Sequence, residues 1–153
     1  MPRTHKKYDL KLPSQSDNLS IVREFVSNVA SKVGFDNDDI SKIELAVDEA
    51  CANVIKHAYG QNSGELIEVS IKIDKQKMIV VVTDKGRGFD PKNVKLPNME
   101  DYLSEMRVGG LGIYLIETLM DKVDFEIKPG IRNKVKMIKY LDKDTPADKN
   151  ASN

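Results

Sequence analysis

The chain has 153 residues, 40% of them hydrophobic and 31% charged, with 24 basic residues balanced by 24 acidic ones. That length suits one domain with a single core, and the even charge argues against a global attraction to nucleic acid or to an anionic membrane. The lone cysteine, Cys51, excludes a disulfide framework, no apolar run approaches the ~20 residues of a membrane span, and the opening MPRTHKKYDL is not a signal peptide, so a cytoplasmic domain is expected.

Residues 1–7 are polar and read as a loose start. Tyr8, Leu10 and Leu12 alternate with charged residues as a short half-buried strand that Pro13 ends. Ser16 or Asp17 then caps a helix with Leu19, Val22, Phe25, Val26, Val29 and Val33 on its apolar face, and Gly34 stops it. The acidic run Asp36 to Asp39 supplies a cap and favourable charge for a second helix over about 38–59. Its core stripe is Ile43, Val47, Ala50 and Val54. Glu49 and Asn53 flank that stripe at i, i+4 and so share one face, with Ala46, Ala50 and Ala52 leaving room beside them. A Glu on a helix surface is commonplace, and the pair alone says little.

Ile67, Val69, Ile71 and Ile73 alternate with polar residues as a strand with one wet face, and Asp74 to Lys77 turns it back as a hairpin. The next strand, Met78 to Val82, is continuously apolar and reads as buried on both faces in the middle of a sheet. It runs into Asp84, then Gly86 and Gly88. A buried carboxylate demands hydrogen-bond partners, and glycines spaced i, i+2 open the backbone to a ligand. The same residues also make an ordinary tight turn. Residues 90–108 hold two prolines, many charges and no clean periodicity, and read as a functional lid or a disordered segment. Gly109, Gly110, Leu111 and Gly112 open an amphipathic helix striped with Ile113, Ile116, Leu119, Met120 and Val123, and a helix start of that kind suits an anion such as phosphate. Phe125 and Ile127 form a strand, Pro129-Gly130 turns it, and Val135 to Leu141 returns as the last strand. Residues 142–153 lack core positions and read as a disordered tail.

Together, E-x-x-x-N, then D-x-G-x-G, then G-x-G resemble the ATP-binding fold shared by gyrase, Hsp90, histidine kinases and MutL, the GHKL superfamily. No Walker P-loop pattern occurs. Within that superfamily the phrases ELAVDEACANVIKHAYG, VVTDKGRGFDP and GGLGIYLIETLMDKV are similar to those of the RsbW/SpoIIAB anti-sigma-factor serine kinases. The resemblance covers residues 8–141, and a single ATP-binding kinase domain over 1–141 is expected.

The resemblance implies an α+β fold, a two-layer sandwich with helices on one face of a mixed, mostly antiparallel sheet. It implies ATP and Mg²⁺ as cofactors. Asp84 would accept the hydrogen bond of the adenine amino group, and Gly86 and Gly88 would let the base lie against the backbone. Asn53 would help hold Mg²⁺. Gly109, Gly110, Leu111 and Gly112 would cradle the phosphates, Arg107 would neutralise them or touch a partner, and Glu49 would be the general base. The resemblance also implies a threonine in the final strand facing the adenine pocket, as related proteins generally have. Aligned on Met137, Lys139 and Tyr140, this chain has Asn133 or Lys134 there. Asn keeps an acceptor, whereas Lys does not.

The function implied is a serine/threonine kinase that binds a sigma factor and phosphorylates a STAS-domain antagonist, as a homodimer, with no direct contact to nucleic acid or membrane. The alternative is an ATP-gated binding module of the same fold that transfers no phosphate. Retention of Glu49 favours the kinase, since a pure switch has no need of a base. A histidine kinase is disfavoured, because His5 lies in the loose start and His57 at the end of the second helix.

Overall fold

The computed structural model describes residues 5–58, 65–86, 112–128 and 131–141. In chain order they form β1 (His5–Pro13), α1 (Leu19–Val33), α2 (Asn37–Asn53), β2 (Leu66–Asp74), β3 (Lys77–Asp84), α3 (Gly112–Leu119), β4 (Lys122–Lys128) and β5 (Arg132–Tyr140). The sheet runs β1-β2-β3-β5-β4, which makes β3 the central strand and leaves β1 and β4 as edges. Each of these pairings is antiparallel, so the parallel component of a mixed sheet does not occur among the described residues. No helix among them is long and apolar enough to cross a membrane.

Period-two alternation decides which side of the sheet is packed. Ile67, Val69, Ile71 and Ile73 of β2 join Met78, Val80 and Val82 of β3 and Met137 of β5 in one core with the inner faces of the helices. From the helix side, Val22, Val26 and Val29 of α1, Ile43 and Val47 of α2 and Ile116 of α3 meet them. The helix α2 lies between α1 and α3 and also touches β3. The α+β two-layer arrangement with helices on one face is therefore observed. Continuous burial of β3 on both sides is not: Ile79 is buried, but Val81 and Thr83 are only half-buried. They face a surface that no helix among the described residues covers, part of a groove of about 650 Å³ with Lys72, Lys134 and Lys136.

Several boundaries differ from expectation. The strand β1 begins at His5, because His5, Lys6 and Lys7 pair with Asp74, Ile73 and Lys72; the start is not loose there. Neither Ser16 nor Asp17 caps α1. A 3₁₀ turn over Ser16–Asn18 leads into the helix, and the Asn18 amide instead donates to the Pro13 carbonyl at 2.8 Å. For α2 the cap is Asp36, whose carboxylate accepts from the Asp39 N–H at 2.8 Å. The helix ends at Asn53 and continues as a π-helical turn over Val54–Ala58. The helix α3 stops at Leu119, and Val123 belongs to β4. The Asp121 N–H bonds to the Ile138 carbonyl at 2.9 Å, pulling the chain onto the sheet before another turn can form. The strand β5 starts at Arg132, which brings Asn133 into the sheet. The lid over 90–108, the turn at Pro129-Gly130 and the tail over 142–153 lie outside the described residues.

Gly34 ends α1 as expected, with φ of 112°. Its N–H donates to the Ala30 and Ser31 carbonyls, and the Phe35 N–H also reaches the Ala30 carbonyl, the pattern of a Schellman cap. A Cβ placed on Gly34 meets nothing within 4 Å. The cost of Gly34→Ala is thus one of backbone conformation and not of crowding. Urea unfolding should show a loss of about 1–2 kcal/mol. Gly34→Asn should lose less, because Asn tolerates positive φ.

Candidate functional site

Asp84 closes β3 and is buried, with 5% of its surface exposed. Its Oδ1 accepts two hydrogen bonds, from the Gly86 N–H at 2.9 Å and from the Asn133 Nδ2 at 2.8 Å. Those donors replace the water the carboxylate loses on burial. The β3–β5 register sets Asn133 directly opposite Asp84, which is why the pair can meet. The same Nδ2 also donates to the Gly86 carbonyl at 2.9 Å, while the Asn133 Oδ1 accepts from the Lys128 N–H at 3.1 Å. Three contacts agree on one orientation of the Asn133 amide: nitrogen toward two acceptors, oxygen toward a donor. Among the described residues, Oδ2 of Asp84 receives no donor.

Of the two residues that the alignment left open, Asn133 is thus the one beside Asp84. Lys134, next along the strand, lines the helix-free groove instead. Gly86 is buried in the bend after β3 and serves Asp84 through its backbone.

Glu49 and Asn53 stand one turn apart near the C-terminal end of α2, both half-buried. Burial pushes the Glu49 carboxyl above its ordinary value of 4.5, the neighbouring charge of Asp48 adds to this, and Lys56 opposes it. Ala46 and Ala50 do not leave open space here, since both are packed into the core, whereas Ala52 is half-buried. On the core side of the same helix, Cys51 is fully buried and its thiol is pushed up to about 12; it is a packing residue and not a nucleophile. Gly112 is the first residue of α3, which packs on α2. Gly88, Arg107, Gly109, Gly110 and Leu111 lie outside the described residues.

Lys139 is a feature that sequence reasoning missed. It is 2% exposed, its Nζ donates to the Leu119 carbonyl at 2.7 Å, and it lies 4.0 Å from the Asp39 carboxylate. A cation on the last carbonyls of a helix complements both the unpaired acceptors and the dipole. The lysine therefore ties the end of α3 to β5 and to the start of α2. Its place in the alternation, two residues after buried Met137, was the available signal.

A layer of helices on one face of an open antiparallel sheet is the architecture of a histidine kinase-like ATPase domain. The family model of that description matches residues 12–139. Among curated proteins, the serine-protein kinase RsbW of Bacillus licheniformis is 35% identical over 154 residues, covering 97% of this chain and 94% of its own length. The RsbW proteins of Staphylococcus aureus and Bacillus subtilis are each 34% identical over 89% and 87% of this chain and 87% and 84% of theirs. The chain belongs to the histidine kinase-like ATPase family and, within it, to the RsbW serine-protein kinases. A solved structure of the RsbU and RsbW domains of a Mycobacterium tuberculosis protein superposes with a TM-score of 0.65 over 89% of this chain and 32% of that one, at 17% identity. That likeness speaks for the fold alone.

The raised Glu49 value has a consequence for stability. As pH rises from the ordinary glutamate value through the higher folded one, the unfolded chain gives up its proton first. The folded state then binds more protons than the unfolded, and stability falls with pH across that window. Glu49→Gln should therefore stabilise the fold relative to wild type at pH 7, and this advantage should shrink below pH ~4.5, where the carboxyl is protonated in both states. Urea midpoints of the two proteins at pH 4 and pH 7 check this.

Proposed function

We propose that this protein is an ATP-dependent serine/threonine kinase that binds a sigma factor and phosphorylates a STAS-domain antagonist. The observation that carries the kinase reading is Glu49: a half-buried carboxyl with a raised proton affinity, one helical turn from Asn53. A base works best when its proton affinity lies near that needed at neutral pH, and burial moves Glu49 in that direction. The gated-module alternative gives no role to such a group.

In this reading Oδ2 of Asp84 accepts from the 6-amino group of adenine, while Oδ1 stays tied to Gly86 and Asn133. Gly86 and Gly88 allow the base to approach the backbone. Backbone N–H groups of Gly109, Gly110, Leu111 and Gly112 hold the phosphates at the start of α3, and Arg107 adds charge there. Among the described residues no cluster of three or more His, Cys, Asp or Glu is preformed for a metal. Asn53 would offer Mg²⁺ a hard oxygen, and the ion would supply neutralisation of the phosphate charge. Glu49 takes the proton of the attacking serine hydroxyl as its oxygen bonds to the γ-phosphorus and the bond to the ADP oxygen breaks. The phosphate added to the antagonist then weakens its grip through repulsion and misfit. A homodimer in the cytoplasm is the expected working form.

Two substitutions test the assignment. In Asp84→Asn, the new amide oxygen remains with the Gly86 and Asn133 donors, so its NH₂ faces the adenine donor. Calorimetry should show ATP affinity reduced by roughly 30- to 1,000-fold; unchanged affinity in the folded variant removes Asp84 from the adenine site. Glu49→Gln should bind Mg-ATP nearly as wild type but transfer phosphate about 10²–10⁴-fold more slowly. A radiolabelled-ATP assay with the co-purified antagonist reads this. Transfer at an equal rate returns Glu49 to the helix surface, and no transfer by wild type favours the gated module.

A further inference from the structure

The Asn133 side chain spends every strong donor it has on the protein. Both directions of its NH₂ group are used, one on Oδ1 of Asp84 at 2.8 Å and the other on the Gly86 carbonyl at 2.9 Å. Its oxygen accepts from the Lys128 N–H at 3.1 Å. The residue is 3% exposed and bridges β3, the bend at Gly86 and the end of β4. A second donor, the Gly86 N–H at 2.9 Å, completes the clamp on Oδ1. With one oxygen held by two donors, the Asp84 carboxylate can neither rotate nor slide sideways without breaking both bonds.

We propose that Asn133 is a specificity-determining positioning residue, which clamps Asp84 so that the site reads a donor at position 6 of a purine and rejects 6-oxopurines. This rests on the assignment of Asp84 to the nucleobase made above. The chemistry follows from the two edges. Adenine offers a donor at its 6-amino group and an acceptor at N1, whereas hypoxanthine offers an acceptor at O6 and a donor at N1–H. A fixed carboxylate aimed at position 6 gains a hydrogen bond from adenine and meets a repelling oxygen in hypoxanthine. A carboxylate free to shift by one ring position would instead find the N1–H of hypoxanthine and bind it well. Asn133 removes that freedom, and because its own NH₂ is fully engaged it offers no donor to O6. A hydroxyl at this position has a single proton, which serves either Asp84 or the Gly86 carbonyl but not both, and it rotates.

The test is calorimetric titration of the full chain, in Mg²⁺, with ATP and with inosine triphosphate. These ligands differ only at position 6 and in the N1 proton that follows from it. Wild type should prefer ATP by about 100-fold or more, as expected for a site whose polar group is left unpaired by the wrong ligand. Asn133→Thr should lower that preference by about tenfold, mainly through improved inosine triphosphate binding, the size of one charge-assisted hydrogen bond regained. Asn133→Ser is the second variant, with a smaller side chain should the threonine disturb packing. If Asn133 only supports the fold, both affinities fall by the same factor and the ratio stays constant, which overturns the proposal. Equal affinity of wild type for the two nucleotides overturns it as well. Failure of wild type to bind either nucleotide is distinguishable from these outcomes, since it removes the nucleotide site itself and the inference with it.

Discussion

Burying a carboxylate at the end of a central strand is tolerated only where the protein supplies the hydrogen bonds that water would have made. For Asp84 those come from one backbone N–H two residues on and one side chain on the neighbouring strand. The second donor depends on topology. The strand order places β5 beside β3, and the antiparallel register brings Asn133, near the start of β5, opposite Asp84, at the end of β3. A shift of one residue would turn Lys134 toward Asp84 and Asn133 toward the helix-free side. The register is held in turn by the inward residues of the same two strands, Val80 opposite Met137 and Val82 opposite Val135. The polar site and the apolar core are thus consequences of one alignment.

The helix α2 carries the other half of the proposed site, and its two sides do different work. Ile43, Val47, Ala50 and Cys51 anchor it in the core, which leaves Glu49 and Asn53 at the boundary of the packed layer. Partial burial at that boundary is what raises the Glu49 value. The Lys139 tie works at the opposite end, joining the start of α2, the end of α3 and β5. The two helices that carry the proposed phosphate and base residues are therefore referenced to the same strand as Asn133.

Much of this was legible in the sequence, for reasons that differ by element. The strands β2 and β4 and the stripe of α2 follow from periodicity, because each has one packed side. The apolar run of β3 misleads at Val81, since a run of apolar residues does not reveal that, among the described residues, helices cover only one face. The start of α1 departs from the expected cap because the Asn18 amide bonds to the Pro13 carbonyl, a contact that depends on how the chain leaves β1. Asp84 could be singled out as a carboxylate needing partners, but the choice between Asn133 and Lys134 required the register. Lys139 is not legible in the sequence because a lysine in a strand is ordinarily turned to water, and its burial depends on a carbonyl from a helix 20 residues away.

An open sheet ends in two strands whose outward backbone groups have no neighbour, and such edges invite further strands. Here both edges are heavily charged. Lys7, Asp9 and Lys11 of β1 are exposed, as are Lys122, Asp124, Glu126 and Lys128 of β4. A strand added to either side would have to set its own side chains against a row of charges of mixed sign and strip their water. Pro13 at the end of β1 withholds a backbone donor as well. Addition of a further strand is disfavoured at both margins, so charge on the edges helps to hold the sheet at the five strands seen among the described residues.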